Sequence, residues 1–157
     1  MAKAAACIRL KTSTGSQARG REMDLSAGDF PKQVQAQLAD VAEDQPIVML
    51  NLLRYRDAAA YPAGSSAKPC SGRQAYRRYG HEAIRFITAV GGEVIWQGSG
   101  KGVLLGPANE HWHKVLLVRY PSKRAFLEMI QNPEYRAITM HRAAALQDSR
   151  LIATTTA

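Results

Sequence analysis

Two polar side chains stand in predicted strands at positions where an apolar residue is typical. Asn51 shares its strand face with apolar residues, and a buried amide needs hydrogen-bond partners, so it is either a structural tether or a ligand contact. Arg119 ends a strand made of Val and Leu, where its guanidinium must pair with an acid or with a ligand anion. Glu93 and Glu134 are the acids that would form a structural pair with it. If neither acid does so, Arg119 is the predicted anion anchor.

Further residues complete the predicted site. Trp96, which shares a predicted face with Val94, would line a pocket wall, although core packing also explains such a residue. His141 has the best location for acid–base chemistry, because it lies beside a helical stripe that contains Tyr135 and Arg142. His141 is therefore the predicted catalytic residue, and the predicted ligand-binding residues are Asn51, Arg54, Tyr79, Trp96, Arg119, Tyr135 and Arg142.

The remaining histidines and glycines do not match the patterns of metal or cofactor sites. His111 and His113 share a strand face but are one ligand short of a useful metal site. His81 lies on a different predicted helix from His141, and no neighbouring Glu has the spacing of a metalloprotease. The glycines at 98–102 lack the ending and the following helix of a phosphate-binding loop. We expect neither a metal nor a cofactor.

The overall composition is that of one soluble globular domain. The chain has 157 residues, of which 46% are hydrophobic and 22% charged, which excludes wholesale disorder. The formal net charge is +8, so a nucleic-acid or another anionic partner has to be considered.

Half of the positive excess lies near the N-terminus, where residues 1–22 carry five basic residues and one acid. This segment lacks apolar periodicity, so we predict a basic flexible tail over residues 1–25 and a single domain over residues 26–157. Nucleic acid is not an expected partner, because the tail has no aromatic residue to stack on bases. Arg9 interrupts the short apolar run, which argues against a secretory signal, and no stretch reaches the roughly 18 apolar residues of a membrane span. We expect a cytoplasmic protein without membrane contact.

Apolar periodicity and capping residues predict four helical segments and five strands. The strands are expected at residues 46–54, 93–97, 103–105, 112–120 and 149–154. The helices are expected at residues 30–42 with Asp29 as N-cap, between Ser71 and Gly91, after Ser122, and again after Asn132. This order predicts an α+β fold, namely a ferredoxin-like split β-α-β with an extra N-terminal helix. The strands at 47–53 and 115–118 are apolar on both faces, which favours a homodimer whose two sheets cover each other.

Four segments carry a family resemblance. They are the residues Ile47–Leu53, Gly91–Trp96, Val118–Ser122 and Asn132–Arg136. Together they resemble a bacterial domain-of-unknown-function family of the dimeric α+β barrel superfamily, over roughly residues 45–155. The resemblance implies a ferredoxin-like protomer whose sheet packs on a partner's sheet to close a barrel. Superfamily members include cofactor-free monooxygenases, muconolactone-type isomerases and haem-dependent chlorite dismutases, but a shared fold is weak evidence for a shared reaction.

These observations favour a small-molecule-binding protein. In its sharper form it would be a cofactor-free enzyme, oxygenase-like or isomerase-like, that acts on a small organic acid or aromatic compound. Arg119 would hold the anion, and Asn51 and His141 would orient the ligand or move protons. The alternative is a non-catalytic dimeric binding or scaffold protein. An open, polar-lined pocket favours the first hypothesis, whereas a pocket filled by Trp96 and Tyr79 favours the second.

Overall fold

A computed structural model describes residues 28–156, which form four helices and four strands. The elements are α1 (Phe30–Gln37), β1 (Ile47–Tyr55), α2 (Gly72–Ala89), β2 (Glu93–Gly98), β3 (Lys114–Tyr120), α3 (Lys123–Gln131), α4 (Pro133–Ala145) and β4 (Leu146–Thr154). The strands make one sheet in the order β2-β3-β1-β4, and every neighbouring pair is antiparallel. This confirms the predicted α+β, ferredoxin-like fold with an extra N-terminal helix. The predicted tail at 1–25 lies outside the described residues, and the single domain over residues 26–157 stays a prediction.

The sheet has two different faces because side chains alternate along each strand. Along β1, every second residue from Ile47 to Tyr55 is buried, and the residues between are only partly buried. We call the first side the helix face, since the helices cover it, and the other side the open face. Asn51 lies on the helix face, opposite Leu116 of β3 and Leu151 of β4.

Helix α2 is positioned by signals that the sequence contains at both ends. The Ser71 hydroxyl accepts a hydrogen bond from the backbone N–H of Gln74 at 3.2 Å, and the Gln74 side chain accepts one from the N–H of Ser71 at 2.9 Å. This reciprocal pair stabilises the first turn. Gly91 follows the helix with φ +77°, a left-handed conformation that glycine adopts without strain.

Helices α3 and α4 also begin at the predicted caps. The Ser122 hydroxyl accepts from the N–H of Ala125 at 3.0 Å, and the Asn132 side chain accepts from the N–H of Glu134 at 2.8 Å. Pro133 occupies the first turn of α4, where its missing N–H costs no hydrogen bond. The two caps separate α3 from α4 and let α4 pack against α2.

The structure corrects four predictions about the elements. Helix α1 ends at Gln37 rather than at residue 42, and the Asp29 side chain makes no capping hydrogen bond. Residues 103–105 form no strand, because the antiparallel partner of β2 is β3 itself, and Leu104 and Leu105 lie in the connecting loop with full solvent exposure. Strand β4 begins at Leu146, directly after α4, rather than at residue 149. No helix within residues 28–156 is long and apolar enough to cross a membrane.

Candidate functional site

A cavity of about 670 Å³ lies between the helix face of the sheet and the helices α2 and α4. Its floor contains Asn51 of β1 and Val118 of β3, and both residues are buried. Its mouth lies between α2 and the edge strand β2, where the lining residues His81, Ile84 and Gln97 are exposed. This volume is in the range of sites for small organic ligands, which is roughly 300–1,000 Å³.

Arg142 of α4 lines the cavity although its residue surface is only 9% exposed. Within residues 28–156 it forms no salt bridge and donates no hydrogen bond to another residue. No fully buried side-chain nitrogen or oxygen of the described residues lacks a hydrogen-bond partner. Because Arg142 lines the cavity, a ligand there can contact it. A buried guanidinium without an acid is costly, so this arrangement is suited to an anion that comes from outside the chain.

Three buried tyrosines line the same cavity as Arg142. Tyr79 and Tyr135 share a hydrogen bond of 2.7 Å between their hydroxyl oxygens, and the ring of Tyr76 lies 5.5 Å from that of Tyr79. Burial raises the pKa of each phenol, and the positive charge of Arg142 opposes the rise at all three. The hydroxyls are therefore protonated near neutral pH and act as hydrogen-bonding groups, not as bases.

Asn51 combines the two roles that the sequence allows for it. Its side-chain nitrogen donates to the backbone carbonyl of Met49 at 3.2 Å, and the residue is 9% exposed on the cavity floor. This bond fixes the orientation of the amide. Asn51 is thus a tethered residue that also contributes to the cavity lining.

The mouth of the cavity is basic. Arg73, Arg77 and Lys114 line it together with Tyr55, and the guanidinium carbon of Arg73 lies 5.2 Å from the centroid of the Tyr55 ring. Burial lowers the pKa of Lys114, and the charge of Arg73 lowers it further. No Asp or Glu is present among the lining residues in the described part of the chain. The cavity therefore has a positive potential from its mouth to its floor.

Four of the predicted site residues line this one cavity, namely Asn51, Tyr79, Tyr135 and Arg142. Arg119 does not, because it lies on the open face opposite Glu93 and forms a salt bridge with that residue. The side chains of this pair are both more than half exposed. Of the two interpretations of Arg119, the structural pair is the one observed, and the proposed anion anchor is not.

Two other predicted ligand contacts also lie on the open face. Arg54 alternates with the buried residues of β1 and faces Asp148 on β4. Trp96 was expected to share a face with Val94, but the pairing with β3 shifts between these two residues. This β-bulge turns Trp96 away from the cavity, and the residue is 53% exposed.

His141, the predicted catalytic residue, is outside the cavity lining. Its Nδ1 lies 2.7 Å from the hydroxyl oxygen of Tyr61, which belongs to the loop between β1 and α2. Arg78 also donates a long hydrogen bond of 3.5 Å to that hydroxyl. Burial lowers the pKa of His141, and Arg78 lowers it further, while Glu82 opposes the change. This cluster attaches the loop to α2 and α4 and places His141 where it cannot contact a ligand in the cavity.

The basic residues at the mouth, Arg73, Arg77 and Lys114, are not among the site residues predicted from the sequence. A detectable signal was present, because Arg73, Arg77, His81 and Ile84 recur at helical spacing beside the buried stripe of α2. Lys114 carries no such signal, since it stands at the first position of a strand.

The comparisons with known proteins support the domain-of-unknown-function part of the family resemblance, and the dimeric α+β barrel superfamily stays a prediction. The crystal structure of RPA0582 from Rhodopseudomonas palustris, described as a protein of unknown function, matches with 43% identity and a TM-score of 0.72, over 80% of this chain and 93% of that one. The structure of methylated RPA0582 matches with 44% identity and a TM-score of 0.72, over 80% and 91% of the two chains. No curated protein matches. The model of the domain of unknown function DUF1330 matches residues 69–155. The chain therefore belongs to the DUF1330 family.

Proposed function

We propose that the protein binds a small organic anion with an aromatic or apolar body in the cavity between the sheet and the helices α2 and α4. The observation that carries the proposal is Arg142, which is buried, has no acidic partner among residues 28–156 and faces the cavity. A carboxylate is the expected anion, because its two oxygens match the planar fork of a guanidinium. Arg142 thus takes the role that the sequence analysis gave to Arg119.

The walls favour a ligand with an apolar body. Met49, Leu116 and Val118 of the sheet and the rings of Tyr76 and Phe126 line the cavity, and they offer both dispersion contacts and aromatic stacking. Asn51 and the neutral tyrosine hydroxyls add polar contacts that orient the ligand. An open cavity of this kind favours the binding hypothesis over a scaffold with a filled core.

A cofactor-free reaction on the bound anion is the sharper form of this proposal. It requires a group in the cavity that exchanges protons near neutral pH, and His141 does not line the cavity. Lys114 does line it, and burial lowers its pKa, so its ammonium group releases a proton more readily and can act as a general acid. Lys114 is therefore the residue that we propose for acid–base chemistry, if the bound anion reacts.

We also propose that a second copy of the chain covers the open face. Leu50 and Leu52 of β1 and Leu117 of β3 are only partly buried there, and Trp96 and Ile152 are 53% and 45% exposed. A continuous apolar surface of this kind is unusual on a monomer. An isologous dimer of two such sheets buries it by the simplest closed arrangement. The cavity opens on the other side of the sheet, so this dimer leaves its mouth accessible.

The test of the binding proposal compares a carboxylate with a neutral ligand of the same shape. Benzoate should raise the melting temperature of the wild-type protein in a concentration-dependent way, because a ligand that binds the native state stabilises it by mass action. Benzamide, which lacks the negative charge, should give a much smaller shift. Naphthoate and hexanoate extend the test to larger and to non-aromatic anions. If none of these carboxylates shifts the melting temperature more than its neutral amide, the proposal fails.

A further inference from the structure

The cations of the cavity fall into two groups that act on different neighbours. Arg142 lies at the inner group, where its charge influences Tyr76, Tyr79 and Tyr135. Arg73 belongs to the outer group at the mouth, where its charge influences Tyr55 and Lys114. Arg142 belongs to α4, whereas Arg73 lies in the first turn of α2, where its guanidinium carbon is 5.2 Å from the centroid of the Tyr55 ring. The two positive centres are therefore distinct.

A row of aromatic rings connects the two groups. The ring of Tyr76 lies 5.5 Å from the ring of Tyr55 on one side and 5.5 Å from the ring of Tyr79 on the other. Arg73 lies 5.2 Å from the centroid of Tyr55 at the outer end of this row, and Arg142 faces the phenols at its inner end. Two steps of 5.5 Å between ring centroids lead from the Tyr55 end of this row to its Tyr79 end.

The outer group contains two cations that form no salt bridge with an acid of the described residues. Lys114 pairs with Leu53 on β1, two residues before Tyr55, whose ring centroid lies 5.2 Å from the guanidinium carbon of Arg73. Both cations line the cavity, and Arg73 lowers the pKa of Lys114. Neither residue forms a salt bridge with an Asp or Glu in the described ranges of the chain. Such a pair of cations repel each other, and an anion between them would relieve the repulsion.

We infer that Arg73 and Lys114 form a second anion subsite and that the ligand is a dianion, with two carboxylates on opposite sides of an apolar body. The inference rests on the proposed function and adds the second charge to it. The inner carboxylate binds Arg142, the apolar body lies along the tyrosine row, and the outer carboxylate bridges Arg73 and Lys114. Because the outer cations are less buried than Arg142, the second carboxylate adds less affinity than the first.

The probes are terephthalate, which has two carboxylates on one ring, and 4-methylbenzoate, which has the same shape and a single carboxylate. Isothermal titration at low salt should show that terephthalate binds the wild-type protein about tenfold more tightly, the gain expected from one further charge-assisted contact. Arg73→Gln and Lys114→Gln should each remove most of this advantage, and they should weaken the binding of 4-methylbenzoate much less than the binding of terephthalate, because the single carboxylate binds Arg142. Arg85→Gln is the matched control on α2, because Arg85 is exposed and does not line the cavity.

The outcomes separate this inference from the proposed function. If both probes bind with equal affinity, the second subsite is refuted and the binding of a monoanion stands. A terephthalate advantage that persists in Arg73→Gln and in Lys114→Gln also refutes it, since the second carboxylate then binds elsewhere. If neither probe binds, both the proposed function and this inference fail.

Discussion

Replacement of Arg142 by methionine is the most informative perturbation of this protein. Only 9% of the surface of Arg142 is exposed, and no acid among residues 28–156 forms a salt bridge with it. Methionine retains most of the apolar stem and adapts to irregular spaces. The substitution therefore removes the charge while it conserves most of the packing.

Arg142→Met should raise the free energy of unfolding of the free protein and weaken its binding of carboxylates. Removal of a charge that is held for function at a cost should raise the free energy of unfolding of the free protein by about 0.5–2 kcal/mol. For a chain of this length, each kcal/mol corresponds to a shift of about 2–4 °C in melting temperature. Loss of one partner of a buried charge pair should weaken carboxylate binding by about 2–5 kcal/mol, or roughly 30-fold to several thousand-fold.

The assay measures urea unfolding without ligand and benzoate titration for the wild type and for Arg142→Met. Arg85→Met is the control, because Arg85 is an exposed arginine whose nearest carboxylate oxygens lie 3.7 and 3.9 Å away. That variant should change stability by no more than about 1 kcal/mol and leave benzoate binding intact. A loss of about 3–5 kcal/mol in Arg142→Met together with unchanged benzoate binding would refute the reasoning, since Arg142 would then be a structural charge with a partner in the chain.

Four further predictions concern the remaining features. In light scattering, the wild-type protein should have about twice the chain mass of 17.2 kDa. Leu50→Lys, on the open face, should reduce this to the mass of one chain, and a monomeric wild type would contradict the proposed dimer. Arg119→Met should leave the benzoate-induced shift unchanged, because Arg119 lies on the face opposite the cavity; a lost shift would contradict this placement. Tyr135→Phe should destabilise the protein by about 1–3 kcal/mol, because it leaves the buried Tyr79 hydroxyl without its partner, and addition of Tyr79→Phe should cost less than the sum of the single changes. Burial lowers the pKa of His141, so the unfolded chain binds a proton at this residue more readily than the folded chain does, and the free energy of unfolding should fall as the pH drops through about 6.5. His141→Gln should reduce the loss in unfolding free energy between pH 7 and pH 5. An unchanged loss would show that other groups cause it.

The fold could be predicted because each of its signals is local. The caps at Ser71, Ser122 and Asn132 fix where α2, α3 and α4 begin, and the apolar runs fix the strands. The order of these elements then leaves few topologies, since connections are short and right-handed. The failed strand at 103–105 shows the limit of this approach. Three apolar residues after a glycine turn look like a returning strand, but β2 obtains its partner from β3 instead.

The site was harder to predict, because strand alternation shows which residues share a face of the sheet but not which face the helices cover. The pattern around Arg119 correctly placed it with Val115 and Leu117, but it did not reveal that this is the face without helices. For Trp96 the alternation itself was interrupted by a bulge, which has no clear signature in a single sequence. Asn51 was placed correctly because β1 is regular up to that point and pairs with strands on both sides.

In helix α4, two residues that are adjacent in sequence have different surroundings. Arg142 and His141 are adjacent in sequence, but successive residues on a helix point about 100° apart. Arg142 consequently lines the cavity, while His141 contacts Tyr61 on the loop side. Tyr135 and Arg142, which the sequence places on one stripe, both line the cavity, whereas their neighbour His141 does not.

Part of the positive charge of the protein lies in the cavity, which bears on the kind of anionic partner that we expect. The excess of +8 raised the question of nucleic acid, yet four cations, Arg73, Arg77, Lys114 and Arg142, line one concave cavity rather than an extended surface. A duplex cannot enter a space of about 670 Å³, whereas low-dielectric walls concentrate the field of these charges on a small anion. On the proposed function, we expect these charges to accelerate the capture of small anions from solution and to select against neutral and cationic molecules of the same shape. Of the four, Arg142 is the cation least exposed to solvent, so we expect it to make the largest contribution to this selection.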